Sequence, residues 1–343
     1  MNHRLTSILI AIVLFPSHVA VAADESTPEA EAADAAQVSA AIRRAIPLLE
    51  QGAAGSAAEK TCFTCHSQAL PVLALSEARQ RGFQIDENTF QTQLQHTAAH
   101  LKRGLAGYKK GRGQGGRVLT AGYALWTLEA GDWKPDEVTS AVVHYLLTYQ
   151  KDDERWHHGG SRPPSSGSDF ATTYVALRAL KVFGTEEQLK ETDARLAVVS
   201  NWLKKTKHKD TEDQVFRFRA MSYLNADEKL IASSRDELIK AQQRDGGWAQ
   251  KKDMTSDAYA TGSVLVALLR ESSEESAAVV NRGVNYLLDS QLDDGSWHVV
   301  TRAKGFQPYF ETGFPHGKDQ FISTAATAWS TLALTLTLPL PEA

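Results

Sequence analysis

Both cysteines of the chain stand in one pentapeptide, Cys62-Phe63-Thr64-Cys65-His66. Two thiols at that spacing, followed at once by an imidazole, suit covalent haem c. The thiols bond the two vinyl groups, and His66 ligates the iron. The same pair admits a Cys62–Cys65 disulfide in an oxidising compartment. Zinc is a third reading and needs a fourth ligand beyond these residues. No methionine-bearing loop offers a sixth iron ligand, because Met221 falls within a helix and Met254 lies between a Trp and the next helix. His96 and His100, four apart on one helical face, are the alternative ligands; as plain residues they belong to a solvated outer helix.

Stepping from these groups to the elements that carry them, the chain repeats itself. A Gln precedes a Trp by six residues three times, at Gln150/Trp156, Gln242/Trp248 and Gln291/Trp297. An amphipathic helix leads into each Gln. A second helix, rich in small and apolar residues, follows each Trp from Ser168, Ser256 and Ser323, where a hydroxyl or carboxylate caps the start. Extended outward, the pattern predicts six outer helices near 38–51, 90–104, 136–150, 191–206, 228–242 and 277–291. Their inner partners fall near 62–81, 119–130, 169–183, 213–224, 258–270 and 323–335. Period-2 alternation between hairpin turns is missing, so the fold class is all-α. Six pairs are the number that closes an α/α toroid, with Cys62 to His66 at the head of the first inner helix.

One of these segments carries a complete motif. Arg282-Gly283-x-x-Tyr286-Leu287-x-x-x-Gln291-x-x-x-Gly295-x-Trp297 matches the QW repeat of squalene and oxidosqualene cyclases at each defined position. The segment ending at Trp248 keeps Leu238, Gln242 and Gly246, and the one ending at Trp156 keeps Tyr145, Leu146 and Gln150. Over residues 38–338 the chain therefore resembles the terpenoid-cyclase and protein-prenyltransferase superfamily. The resemblance implies the toroid, and it implies that Gln and Trp tie the end of one outer helix to the next. It implies no single activity, since one fold serves many.

Asp210-Thr211-Glu212-Asp213 precedes the fourth inner helix and resembles the Asp-x-Asp-Asp motif of class II terpene cyclases. That resemblance implies Glu212 as the acid that protonates an alkene, with Asp210 and Asp213 in support. Phe216, Phe218, Tyr223, Tyr174, Tyr259 and Trp329 would then line a central cavity and stabilise the cation. Two departures stand against it. Glu replaces the donating Asp, and the chain has residues for one helical domain where class II cyclases generally use two. Asp169 and Asp257 hold the same helix-start place in other repeats, so helix capping also accounts for the acidic group. The zinc set of the prenyltransferases, an Asp, a Cys and a His in later repeats, has no counterpart after Cys65.

A 25-residue connection between Trp297 and Ser323 breaks the rhythm, against 8 residues between Trp248 and Asp257. It gathers Tyr309, Phe310, Phe314 and Phe321 with His298, His316, Lys318 and Asp319. Leading into an inner helix, it is expected to lid the mouth of the ring, with His316 and Asp319 as candidate reactive groups. Gly111-Arg112-Gly113-Gln114-Gly115-Gly116 follows a helix and no strand, so the dinucleotide reading fails. His157 and His158 read as solvated loop histidines.

Residues 1–22 read as a secretory leader: Arg4, the apolar run Leu5 to Phe15, and Ala20-Val21-Ala22 before the cut. Residues 23–37 read as a disordered linker. The formal charge of −4 over 343 residues, without a basic stripe, argues against a nucleic-acid partner. The sequence thus predicts a periplasmic or otherwise exported toroid, soluble after leader cleavage. Three functions are compatible with it. One is a carrier of haem c serving a redox partner. A second is a cyclase-like enzyme holding an apolar isoprenoid in the central cavity. The third is a non-catalytic binding toroid with a Cys62–Cys65 disulfide.

Overall fold

The computed structural model describes residues 33–160, 162–271, 276–305 and 308–341. The expected leader, 1–22, lies outside the described residues, as does most of the expected linker. The end of that linker is helical instead, because Asp34 caps a helix from Ala35 by accepting from the Ala36 N–H at 3.1 Å.

In chain order the helices are α1 (Ala35–Glu59), α2 (Leu70–Gln80), α3 (Glu87–Arg103), the single turn α4 (Leu105–Tyr108), α5 (Arg117–Ala130) and α6 (Glu137–Thr148). There follow α7 (Asp169–Phe183), α8 (Leu189–Lys205), α9 (Thr211–Tyr223), α10 (Glu228–Lys240), α11 (Ala258–Glu271), α12 (Ala277–Ser290) and α13 (Gln320–Leu336). No strand occurs among the described residues. The fold is an α/α toroid. Neighbouring inner helices pack as α2–α5–α7–α9–α11–α13, and α13 returns to α2, which closes the ring. The outer helices α1, α3, α6, α8, α10 and α12 surround them. No helix among the described residues is long and apolar enough to cross a membrane.

Small residues set the spacing inside. A Cβ on Gly262 of α11 would sit 2.7 Å from the Ser330 backbone nitrogen of α13. The outer ring is held by the repeat itself. Each Trp indole donates to a carbonyl ten residues back: Trp156 to Leu146 at 2.9 Å, Trp248 to Leu238 at 2.7 Å, Trp297 to Leu287 at 2.8 Å. Each Trp backbone N–H donates to a threonine of the following inner helix, Thr173, Thr261 or Thr327, at 3.2, 2.9 and 3.1 Å. Two of the three glutamines reach the next outer helix, while Gln150 accepts from the His157 N–H of its own loop at 3.1 Å. Gln242 Nε2 donates to Val279 at 2.8 Å, and Gln291 Nε2 to Ala41 at 2.9 Å. Gly295 adopts φ +91°, and a Cβ there would lie 2.5 Å from the Arg44 carbonyl, so glycine alone allows this approach.

The centre of the ring differs from the expected open cavity. Arg219 of α9 points inward, and its guanidinium lies 5.0 Å from the Trp126 ring, 4.7 Å from Tyr174, 5.5 Å from Phe216 and 5.6 Å from Trp329. Tyr174, Phe216 and Trp329, expected to line a hollow, pack around a resident cation, while Tyr174 and Tyr223 also stand in the wall of an open space at one end of the ring. Open space is found toward the two ends of the ring.

Trp297 is 1% exposed and holds two backbone groups. Trp297→Ala is expected to cost about 3–5 kcal/mol, read as a lower denaturation midpoint in urea.

Candidate functional site

The mouth of the ring holds a cavity of about 400 Å³. Three kinds of segment build it. The heads of α2 and α13 bring Cys65, His66, Phe321, Ile322 and Ala325; the segment before α7 brings Arg162 to Ser166; the long connection brings Thr301, Ala303 to Gly305 and Pro308 to Phe310. The expected lid is therefore in place. Its walls are mostly apolar, Phe310 stands 5.2 Å from Phe321, and Arg162, Lys304 and Lys318 supply positive charge.

Cys65 and His66 start a π-helical turn, Cys65–Ala69, that leads into α2. The turn is fixed by Gln68, whose Oε1 accepts from the Thr64 N–H at 2.8 Å. His66 meets the Phe321 ring edge-on at 5.4 Å. Burial and then the Arg162 charge push its pKa down to about 3, so the imidazole is neutral at physiological pH. Burial also raises the Cys65 thiol, outweighing Arg162 and a hydrogen bond with Ser165. A neutral thiol 3.9 Å from a neutral imidazole is not the thiolate–imidazolium pair of a nucleophilic cysteine.

Cys62 is exposed and outside the cavity wall, and both thiols are free, so the disulfide weighed from sequence is not formed. The Cys62 carbonyl faces His96 Nε2 at 3.4 Å, and Arg103 holds the Thr61 carbonyl. Of the two histidines expected on a solvated outer helix, His96 is half-buried and His100 is buried. His100 is buried 6.1 Å from the Phe63 ring, and both pack behind the motif and away from the cavity. Among the described residues no cluster of three or more His, Cys, Asp or Glu is arranged for a metal ion.

The acidic cluster divides its labour. Asp210 caps α9, accepting from the Asp213 N–H at 3.1 Å. Asp213 accepts from the Ser168 hydroxyl at 2.6 Å and the Lys209 N–H at 3.2 Å. Asp169 and Asp257 do similar structural work: the His158 N–H reaches Asp169 at 2.8 Å, and Asp257 accepts from Gln250 at 3.0 Å and Ala260 N–H at 2.9 Å. Glu212 has no such duty. It is 3% exposed; one oxygen accepts from the Tyr259 hydroxyl at 3.3 Å, and the other is buried with no hydrogen-bond partner. Burial, then the neighbouring Asp210 charge, raises its pKa to about 8. Glu212 is a neutral acid at pH 7, yet it lines neither end cavity.

His316 and Asp319 fasten the lid. His316 Nε2 lies 2.7 Å from the buried Ser296 hydroxyl and its ring stacks on His298 at 4.5 Å. Asp319 meets His298 Nε2 at 2.9 Å and accepts from the Thr301 N–H at 2.9 Å. Neither lines the mouth cavity. His157 and His158 stay partly exposed in their loop, and both face Asp169, with His158 Nδ1 at 2.6 Å. Sequence reading missed Arg162-Pro163-Pro164 in the cavity wall, and it missed Arg178, Arg219 and Arg270. Arg178 and Arg270 could have been noticed as the lone arginine of a largely apolar inner helix, whereas α9 also carries Arg217, Glu212 and Asp213, so nothing marked Arg219.

Comparison with solved structures places this geometry. A type II terpene cyclase from Scytonema, solved with the product merosterolic acid A, aligns with a TM-score of 0.54 at 14% identity, covering 89% of this chain and 99% of that one. The fold is the terpene-cyclase toroid. ent-Copalyl diphosphate synthase from Streptomyces platensis aligns at 0.50 with 16% identity, over 79% of this chain and half of the larger enzyme. A glycosidase variant aligns at 0.53 with 12% identity, over 87% of this chain and 98% of that one, so the toroid alone does not fix a chemistry. In sequence, 65 residues are 40% identical to copalyl diphosphate synthase from Streptomyces anulatus, 19% of this chain and 12% of that protein's length. No protein-family model matches.

Glu212 makes stability depend on pH. Its folded pKa, about 8, exceeds the ordinary carboxyl value of 4.5, so the folded state binds the extra proton between them. Its contribution is complete below the lower value and is lost as pH rises through the upper, on the order of a few kcal/mol. Glu212→Gln is expected to flatten that fall, read from urea midpoints across the window.

Proposed function

We propose that the protein holds an apolar guest with an anionic end in the mouth cavity, and that this guest is haem c attached through Cys62 and Cys65. The observation that carries the reading is that Cys65 and His66 lie side by side in the cavity wall. The wall suits the group in further respects. His66 is neutral, the state in which an imidazole binds a metal. Phe310, Phe321, Ile322 and the two prolines offer flat apolar contact, and Arg162, Lys304 and Lys318 offer partners for carboxylates. One residue is out of place. Cys62 must turn inward, giving up the His96 contact at its carbonyl, for a second thioether to form. When bound, the group supplies a one-electron centre. The protein's part is to orient it through His66 and to keep water from one face with the lid. The expected leader is consistent with this reading, since covalent attachment of haem c belongs to an exported protein.

The fold and Glu212 favour a second reading, an acid-initiated transformation of an apolar isoprenoid. A buried neutral carboxyl with an unpartnered oxygen is the acid such chemistry requires. Arg219 occupies the place among the aromatic rings that a substrate cation would need, and Glu212 lines neither cavity, so substrate would have to displace packed side chains to reach the acid. That places this reading second.

The mature protein, expressed in a periplasm with cytochrome c maturation, is expected to gain the mass of one haem and a Soret band. Cys65→Ala should lose covalent attachment, and His66→Ala should shift the band. Folded protein of apoprotein mass with no visible absorbance would sink the haem reading. Turnover of polyprenyl substrates that Glu212→Gln abolishes would then establish the second.

A further inference from the structure

The end of the ring away from the mouth carries a second cavity of about 300 Å³, formed by α5, α7, α9 and α11, mostly from their C-terminal halves. Trp126, Tyr174, Arg178, Arg219, Tyr223 and Arg270 stand in its wall. Arg178 is matched by Glu129, with Nε 3.1 Å from Oε2. Arg270 donates to one oxygen of Glu77 at 2.7 Å while Arg81 holds the other at 2.8 Å. Arg219 has no carboxylate. Its Nη2 donates to the Tyr174 hydroxyl at 3.1 Å, and its buried Nη1 has no hydrogen-bond partner.

Three guanidinium groups therefore stand in the wall against two carboxylates, one of which is shared with Arg81 outside it, and Lys181, 4.6 Å from the Tyr223 ring, adds to the positive side. Glu212 is the other carboxyl whose field reaches Arg219, and it is neutral at pH 7. Aromatic faces around Arg219 offset part of the cost of burying it, but they leave the Nη1 donor unanswered. Arg219 is 8% exposed, too buried for bulk water to screen it as it would a surface residue.

We propose that this cavity binds a small phosphate monoester. A dianion answers the excess of positive charge, and guanidinium groups meet phosphate oxygens in matched pairs. Trp126, Tyr174 and Tyr223 provide faces for an apolar or aromatic body beside the phosphate. The site shares no lining residue with the mouth cavity.

The test titrates purified full-length protein with phenyl phosphate and with inorganic phosphate in low-chloride buffer. Calorimetric heat and tryptophan fluorescence are the readouts, since Trp126 forms part of the wall. Saturable binding of phenyl phosphate, tighter than that of inorganic phosphate, is expected. Arg270→Gln alters a side chain 52% exposed, so the fold should persist while affinity falls about tenfold. Arg219→Gln should abolish binding with an unchanged far-ultraviolet spectrum. Equal affinity for inorganic phosphate would overturn the ester assignment. Absence of binding to the wild type, or unchanged binding in Arg270→Gln, would overturn the site.

Discussion

The hydrogen bond from Gln291 to the Ala41 carbonyl joins residues 250 positions apart, and the ring depends on what it accomplishes. Equivalent bonds elsewhere link successive outer helices, as Gln242 links α10 to α12. At Gln291 the same device links the last outer helix to the first. Beneath it, Trp297 ties the end of α12 to Thr327 of α13, and α13 packs on both α11 and α2. Closure gives every inner helix two inner neighbours, so each can be apolar around most of its circumference without exposing a seam. The two end cavities exist because the ring closes around them.

The ring also sorts polarity. Helices α2, α7 and α13 begin at or near the mouth, and α5, α7, α9 and α11 approach their ends at the opposite cavity. Helix starts carry partial positive charge and helix ends partial negative charge. The caps Asp210, Ser168 and Asp257 belong to the first kind of terminus. Arg178, Arg219 and Arg270 belong near the second. Between them lies Glu212, buried as a neutral acid, while Arg219 stands in the wall of the second cavity without a carboxylate.

How much of this was legible in the sequence follows from range. The six pairs and their Gln–Trp ties could be read because each rests on residues within about two helical turns of one another, repeated along the chain. The lid could be read from its length and aromatics. Cys62 and Cys65 were read together, but the structure separates them, because the backbone before the π-helical turn is extended at Thr64. Within the acidic cluster the resemblance sets Glu212 apart from Asp210 and Asp213, but spacing alone leaves capping open for the whole group; the structure gives Asp210 and Asp213 the helix start and leaves Glu212 without that duty. Arg219 was not anticipated, since its partners Trp126, Tyr174 and Trp329 come from three other helices. Non-local aromatic cages leave no spacing to recognise.

The glycine at 295 has a consequence for how such a protein can change. Its bare backbone lets the last outer helix seat against the first at a distance no side chain permits. An open stack of repeats tolerates one unit more or fewer, because its ends meet only water. Here the ends meet each other, and the angle between pairs is set by the seam. Gain or loss of one pair would misplace both faces of that seam together. Variation is thereby channelled into the connections at the two openings, where length is free and ligands are met.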